Sequence, residues 1–322
     1  MITQRLLASG NENEESSIKF TTSSKRSSAT NFFSTSSGIV TANYEVYIND
    51  VLTSQTITGL TFNVNDVIEI KALNNAVFPY FYAKEKDYIK SIDKPFPFMS
   101  KTCSYDDPVT DFSYCFFNCS NLVDIPEELF RYNTAVTDFS WCFTYCSSLT
   151  IIPSDIFKYN TDVTSFYRCF TSCSALTAIP SDLFRHNSAV TTFKECFRSC
   201  ETLTTIPADL FRYNTAATTF TSCFESCFKL ATISADLFRY NTAATDFSIC
   251  FKLCKKLTAI PTDLFKYNTA VTKFNSSFYG CSSVTGLLPE LWVTHSNAAH
   301  SSCFYGCSNA SNYSTAQSAG WA

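Results

Sequence analysis

Apolar residues in "FKECFRSC", residues 193–200, fall at i, i+3, i+4 and i+7, which is the stripe of one or two turns of amphipathic helix. Phe193, Cys196, Phe197 and Cys200 are therefore assigned to a single inward face. The following "LTTI" is short and rich in β-branched residues, so it predicts a strand of about four residues. "PADLFRYN" predicts a second, very short helix, with Pro207 in its first turn, Asp209 near its positive end and Arg212 near its negative end. Asn214 suits a left-handed exit from that helix, and the strand-like "AATTF" starts a new pass of the chain.

This pattern recurs with a period of 27. Cys115, Cys142, Cys169, Cys196, Cys223 and Cys250 fall on it, and a second series comprises Cys119, Cys146, Cys173, Cys200, Cys227, Cys254 and Cys281. Two phenylalanine series keep step, from Phe112 to Phe274 and from Phe116 to Phe278. The unit VTxFxxCFxxCxxLTxIPxDLFxxNTA occurs about seven times between residues 108 and 295, and a degenerate eighth piece, "CFYGCSNASNY", starts at Cys303. A unit this short cannot bury its own apolar face, so each must stack on its neighbours. The expected fold is an α/β solenoid of about seven 27-residue repeats.

Four regions follow. Residues 1–38 are rich in Ser and Thr and read as a polar, flexible or docking segment. Residues 39–100 contain "ANYEVYIND" and "LTFNVNDVIEIKAL", whose period-two alternation and turn at "ND" predict a small β-rich domain, either a cap on the first repeat or an attachment module. Residues 101–295 form the repeats. Residues 296–322 form a degenerate C-terminal cap, foreshadowed by Ser277 in place of cysteine and Trp292 in place of phenylalanine.

The order "VTxF..CF..C..LT.IP" resembles the BspA-like class of leucine-rich repeats, whose unit runs roughly VTSIGxxAFxxCxxLTxIxIP. Here cysteine replaces the alanine before phenylalanine, as at Cys196, and a "DLFxxNT" segment is added, as at 209–215. The resemblance covers the repeats and implies a leucine-rich-repeat type of solenoid. It also implies a surface-exposed binder, and the paired cysteines look most like gut bacterial and bacteriophage variants. The N-terminus "MITQRLLASGNENEESS" shows no secretory apolar segment. With the resemblance, this sets the expectation of a bacteriophage virion protein of tail or head fibre type, made in the host cytoplasm and presenting its repeats to the host surface or to another virion protein. A bacterial BspA-like surface adhesin binding host protein or glycan is the first alternative, and a virion decoration protein with no ligand the second.

Composition narrows the partners. A net charge of -4 with 24 Lys plus Arg leaves no bulk basic surface for a phosphate backbone, so nucleic acid is not expected. No run of apolar residues reaches the length of a membrane helix, so no insertion is expected. Expected partners are virion proteins through the N-terminal region and a host cell-surface protein or glycan, within a homo-oligomer or larger assembly.

Candidate chemistry centres on the cysteines. Two adjacent pairs, such as Cys196 and Cys200 with Cys223 and Cys227, offer four thiolates for zinc. Each pair brackets a phenylalanine on an apolar stripe, however, which favours buried, reduced thiols as structural ladders. On a regular helix, residues four apart are also too distant for a disulfide. A cysteine nucleophile needs a base. His186 occupies the row of Tyr132, Tyr159, Tyr213, Tyr240 and Tyr267, while His295 and His300 form a surface pair in a degenerate loop. No enzyme, cofactor or metal is therefore expected. Asp155, Asp182, Asp209, Asp236 and Asp263 stand three residues before Lys158, Arg185, Arg212, Arg239 and Lys266, a spacing for local ion pairs. Residues between the cysteines differ from unit to unit, so Thr144, Tyr145, Arg198, Glu225, Lys252 and Leu253 form the candidate binding face.

Overall fold

The computed structural model describes residues 17–30, 33, 41–73, 78–79, 81, 87–97, 99–100 and 107–322. Along the repeats, single parallel bridges join Asp111, Asp138, Ser165, Thr192, Thr219, Asp246, Lys273 and Ala299 in succession. Each 27-residue unit is thus one coil stacked in register on the next. The final step is 26 residues, from Lys273 to Ala299.

The coils contain turns where short helices are expected, which corrects the α/β assignment. In residues 139–146, the N–H groups of Cys142, Thr144 and Cys146 donate to the carbonyls of Phe139, Trp141 and Phe143, at 3.1, 3.2 and 3.1 Å. The intervening N–H groups of Trp141, Phe143 and Tyr145 donate instead to Tyr167, Cys169 and Thr171 of the following coil, at 2.8, 2.8 and 2.9 Å. Trp141 and Tyr145 have φ of 62° and 63°, and the equivalent positions Glu195 and Ser199 have 56° and 58°. These left-handed residues turn alternate peptides towards the neighbouring coil, which an α-helix cannot do. The apolar spacing of consecutive turns mimics that of a helix, so Phe193, Cys196, Phe197 and Cys200 are all fully buried, as the stripe requires.

"PADLFRYN" is likewise a run of turns, closed by Leu210 N–H to Pro207, Arg212 to Asp209 and Asn214 to Phe211 at 3.2, 3.0 and 3.1 Å. Asn214 is buried and is not among the residues with positive φ. The left-handed exit expected of it is therefore absent. The "LTTI" strand shrinks to one bridge, Thr205 to Thr232, and the regular bridging lies just before the first phenylalanine of each unit. Among the described residues, α-helix occurs only as α1 (Leu291–Thr294) and α2 (Tyr313–Ser318), with a 3-10 turn at Thr41–Asn43.

Three phenylalanine columns fill the stack. Phe116, Phe143, Phe170 and Phe197 lie parallel at 5.2, 5.4 and 5.6 Å between centroids. Phe139, Phe166 and Phe193 form a second column at 5.9 and 6.0 Å. Phe157, Phe184 and Phe211 form a third at 6.3 and 6.2 Å, and Phe184 tilts against Phe193 at 4.9 Å. Such offset and tilted ring pairs add to the burial of their apolar area.

The N-terminal region is a sheet of order β4-β3-β6-β1-β8. Its strands are β1 (Ser17–Thr22), β3 (Tyr44–Ile48), β4 (Val51–Leu52), β6 (Val67–Ala72) and β8 (Ile89–Ile92). β2 (Arg26–Thr30) pairs with β5 (Leu60–Phe62), and β7 (Phe78–Pro79) pairs with β9 (Met99–Ser100). The hairpin turn falls at Asn49 and Asp50, with φ of 51° and 65°, where "ND" places it. The sheet begins inside the segment read as polar and flexible. β1 pairs with β6 and β8 and buries Ile18 and Phe20, whose alternation is masked by the surrounding Ser and Thr. Of the segment 1–38 expected to be flexible or to dock, residues 1–16, 31–32 and 34–38 lie outside the described residues.

This sheet packs on the first coil. Ser91 bridges Asp124 in parallel, Phe96 lies 5.8 Å from Phe116, and the Cys115 thiol donates to the Phe81 carbonyl at 3.3 Å. At the other end Trp321 is buried, accepts the Phe304 N–H at 2.8 Å through its carbonyl and stacks on His300 at 4.2 Å.

Candidate functional site

Two internal ladders use the polar atoms of the core. The thiol of Cys200 donates to the Phe170 carbonyl of the preceding coil at 3.3 Å, and those of Cys146, Cys173, Cys227, Cys254 and Cys281 do the same in theirs. Where Ser277 replaces the first cysteine of a pair, its hydroxyl reaches the Phe247 carbonyl at 2.8 Å. Cys115, Cys119, Cys142, Cys169, Cys196, Cys223 and Cys250 are equally buried, and all are free thiols. Burial pushes the Cys227 thiol up to about 12 and that of Cys200 well above its ordinary value. A thiol held neutral is a weak metal ligand and a poor nucleophile. Cys103 lies outside the described residues.

The second ladder has no counterpart in the sequence reading. Asn214 donates through Nδ2 to the Phe184 and Asn187 carbonyls at 3.1 and 2.9 Å. Asn160, Asn187, Asn241 and Asn268 repeat this in their own coils. One period after Asn268 stands His295, whose Nε2 lies 3.2 Å from the Asn268 carbonyl and whose Nδ1 lies 2.9 Å from the Thr294 hydroxyl. It is half-buried, and burial lowers its pKa. His295 and His300 thus close the last coil, which corrects their reading as a surface pair. The signal for the asparagine ladder was the unvarying "N" of "NTA", which turn propensity explained too readily.

The outward side chains just before and between the cysteines form a third ladder. Tyr114 stacks on Trp141 at 5.4 Å, and the Arg168 guanidinium covers Trp141 at 4.1 Å. Arg168 lies 2.7 Å from Glu195, Glu195 3.3 Å from Arg198, and Arg198 3.0 Å from Glu225. Lys252 follows, 3.8 Å from Glu225 and 5.6 Å from the Tyr279 ring, and Tyr279 stacks on Tyr305 at 5.0 Å. The Nε–H groups of Arg168 and Arg198 are not aimed at a carboxylate, so at those atoms the attraction is Coulombic.

The variation from coil to coil is therefore complementarity between neighbours as much as exposure. Arg198, Glu225 and Lys252 belong to this ladder. Thr144 is fully buried and gives its hydroxyl hydrogen to the Arg168 carbonyl, so it is removed from the candidate face. Tyr145 remains exposed, and Leu253 is partly exposed and lies over Gly280.

No protein-family model matches the chain, and no curated protein matches it. Among solved structures it is similar to a leucine rich cell surface protein from Faecalibacterium prausnitzii A2-165, at 17% identity over 69% of this chain and 82% of that one, with a TM-score of 0.23. A superposition that low carries no inference.

In the DLFxxN segments, four of the five expected ion pairs form. Lys158 meets Asp155 at 3.0 Å, Arg185 meets Asp182 at 3.8 Å, Arg212 meets Asp209 at 3.6 Å and Arg239 meets Asp236 at 3.2 Å. Arg212 also sits between Tyr213 and Tyr240, and Arg239 between Tyr240 and Tyr267. This regular row is locally neutral, and exposed pairs of this kind contribute little. Among the described residues no group of three or more His, Cys, Asp or Glu is placed to hold a metal ion, and no helix is long and apolar enough to cross a membrane.

Proposed function

We propose that the chain is a non-enzymatic binding protein of the leucine-rich-repeat type that works at a surface. The observation that carries this reading is the covering of both ends of the stack. Phe81 and Phe96 lie against the first coil and Trp321 against the last, leaving the lateral faces for a partner. Coil stacks use such extended faces for recognition. The described cysteines, the strongest nucleophiles among the described residues, are sealed in the core, and the second of a pair donates to a carbonyl, as Cys200 does to Phe170.

Within this reading we place the protein on a bacteriophage particle as a tail or head fibre component, on the strength of its resemblance to cysteine-paired repeats. A bacterial surface protein is the alternative. Fluorescently labelled full chain should be retained saturably by intact bacterial cells of the source community; absence of retention on all of them overturns the binding reading. Antibody labelling of purified particles and of cell envelopes separates the two locations.

A further inference from the structure

Charges just before and between the cysteines are matched along the ladder, with Arg168, Glu195, Arg198, Glu225 and Lys252 alternating in sign apart from the last aromatic steps. Just beyond the second cysteine the rule fails. Lys229 and Lys256 occupy the same position on successive coils, whose register is fixed by the Ala231 N–H to Thr204 and Thr258 N–H to Ala231 bonds at 3.0 and 3.2 Å. Lys255 lies beside them, its ammonium 5.3 Å from the Phe228 ring one coil back. All three lysines are exposed and none makes an ion pair among the described residues. Glu201, a single exposed carboxylate one coil before Phe228, stands against these three cations.

Like charges on adjacent rungs repel and destabilise, and the Phe228 ring offsets this for Lys255 alone. Other coils place small polar residues there, such as Ser147 and Ser148 or Ser282 and Ser283. Lys252, three residues before Lys255, holds its ammonium 5.6 Å from the Tyr279 ring. On a chain of net charge -4 the lysine cluster is a local inversion of sign. The geometry points to Lys229, Lys255 and Lys256, with Phe228, as a docking surface for an acidic polysaccharide. The ammonium groups meet its carboxylate or sulfate groups, and the part-exposed ring meets the apolar faces of its sugars. Opposite charge on an extended polymer matches cations repeated along the stack axis.

This inference rests on the binding reading above and names the ligand class. The test is equilibrium binding of the full chain to a carboxylated polysaccharide (polygalacturonate), a sulfated one (heparin), neutral dextran and polyglutamate. Binding to one or both acidic polysaccharides, weakened by added salt and absent for dextran, is expected, with the two arms separating carboxylate from sulfate. The K229S/K255S/K256S variant, which installs residues other coils already carry, should lose about tenfold or more in affinity. The arginine triple variant should retain binding, and both should keep the parent's thermal unfolding.

Equal binding by the serine variant, no binding to either acidic polysaccharide, or tighter binding of polyglutamate each overturns the proposal. Cell retention that survives the serine substitutions overturns the patch while leaving the binding reading intact. Loss of all cell retention in the parent chain removes the binding reading by itself.

Discussion

The side-chain amide of Asn214 donates a 2.9 Å hydrogen bond to the backbone carbonyl of Asn187, the residue that occupies the same place one coil earlier. The same amide serves the Phe184 carbonyl at 3.1 Å. Both carbonyls lie in the dry interior of the stack, where an unpaired acceptor costs about 1–3 kcal/mol. Asn214→Ala should therefore lower unfolding free energy by about 2–5 kcal/mol in urea denaturation. A change below about 0.5 kcal/mol would show that the ladder does not hold the coils together.

The cysteine ladder makes a related prediction. Cys200→Ala removes the donor to Phe170 and leaves a small void, for an expected loss of about 1–2 kcal/mol. Cys196→Ser should cost less than Cys196→Val, because Ser277 already fills the equivalent place with a hydroxyl bonded to Phe247. Thermal melts of the three variants rank these effects, and a harmless Cys200→Ala would remove the thiol hydrogen bond from the account.

Alkaline pH should unfold the protein through the same thiols. Their folded pKa values lie above the ordinary cysteine value, with Cys227 at about 12, because burial disfavours the thiolate. A raised folded value means the stabilisation is complete below the unfolded pKa and is lost as pH climbs towards the folded one. The window runs from about pH 8.5 to about 12 for Cys227. Each such thiol contributes a slope of about 1.4 kcal/mol per pH unit across its window. Circular dichroism and thiolate absorbance should change together, and thiol titration at neutral pH should find the ladder unreactive until denaturant is added. Thiolates appearing in a still-folded chain would contradict this.

Glu225 sits between Arg198 at 3.0 Å and Lys252 at 3.8 Å, and its side chain is mostly covered. Glu225→Lys places three cations in a row and should cost about 1–3 kcal/mol. Adding Arg198→Glu should return part of that loss, with a coupling energy above about 0.5 kcal/mol in a double-mutant cycle. Additive effects would mean the outward ladder is incidental to coil register.

Phe193, Cys196, Phe197 and Cys200 were assigned correctly to the core, because the choice of apolar residue at each position is local. The ion pairs of Asp209 with Arg212 and Asp236 with Arg239 were visible for the same reason. Thr144 was misjudged because its hydroxyl partner, the Arg168 carbonyl, belongs to the next coil. Arg198 and Glu225 looked variable in isolation and prove to be complementary once the coils are stacked.

The sequence alone determined the 27-residue period, the number of coils and the inward apolar residues, since burial of apolar side chains is imposed on every unit alike. Only the tertiary structure decided that the units before the last are turns without helix. Trp141, Tyr145 and Ile249 adopt left-handed backbone, at 62°, 63° and 64°, without the glycine that would announce it. That conformation persists because the peptides it redirects are bonded to a neighbouring coil, a partner that exists only after stacking.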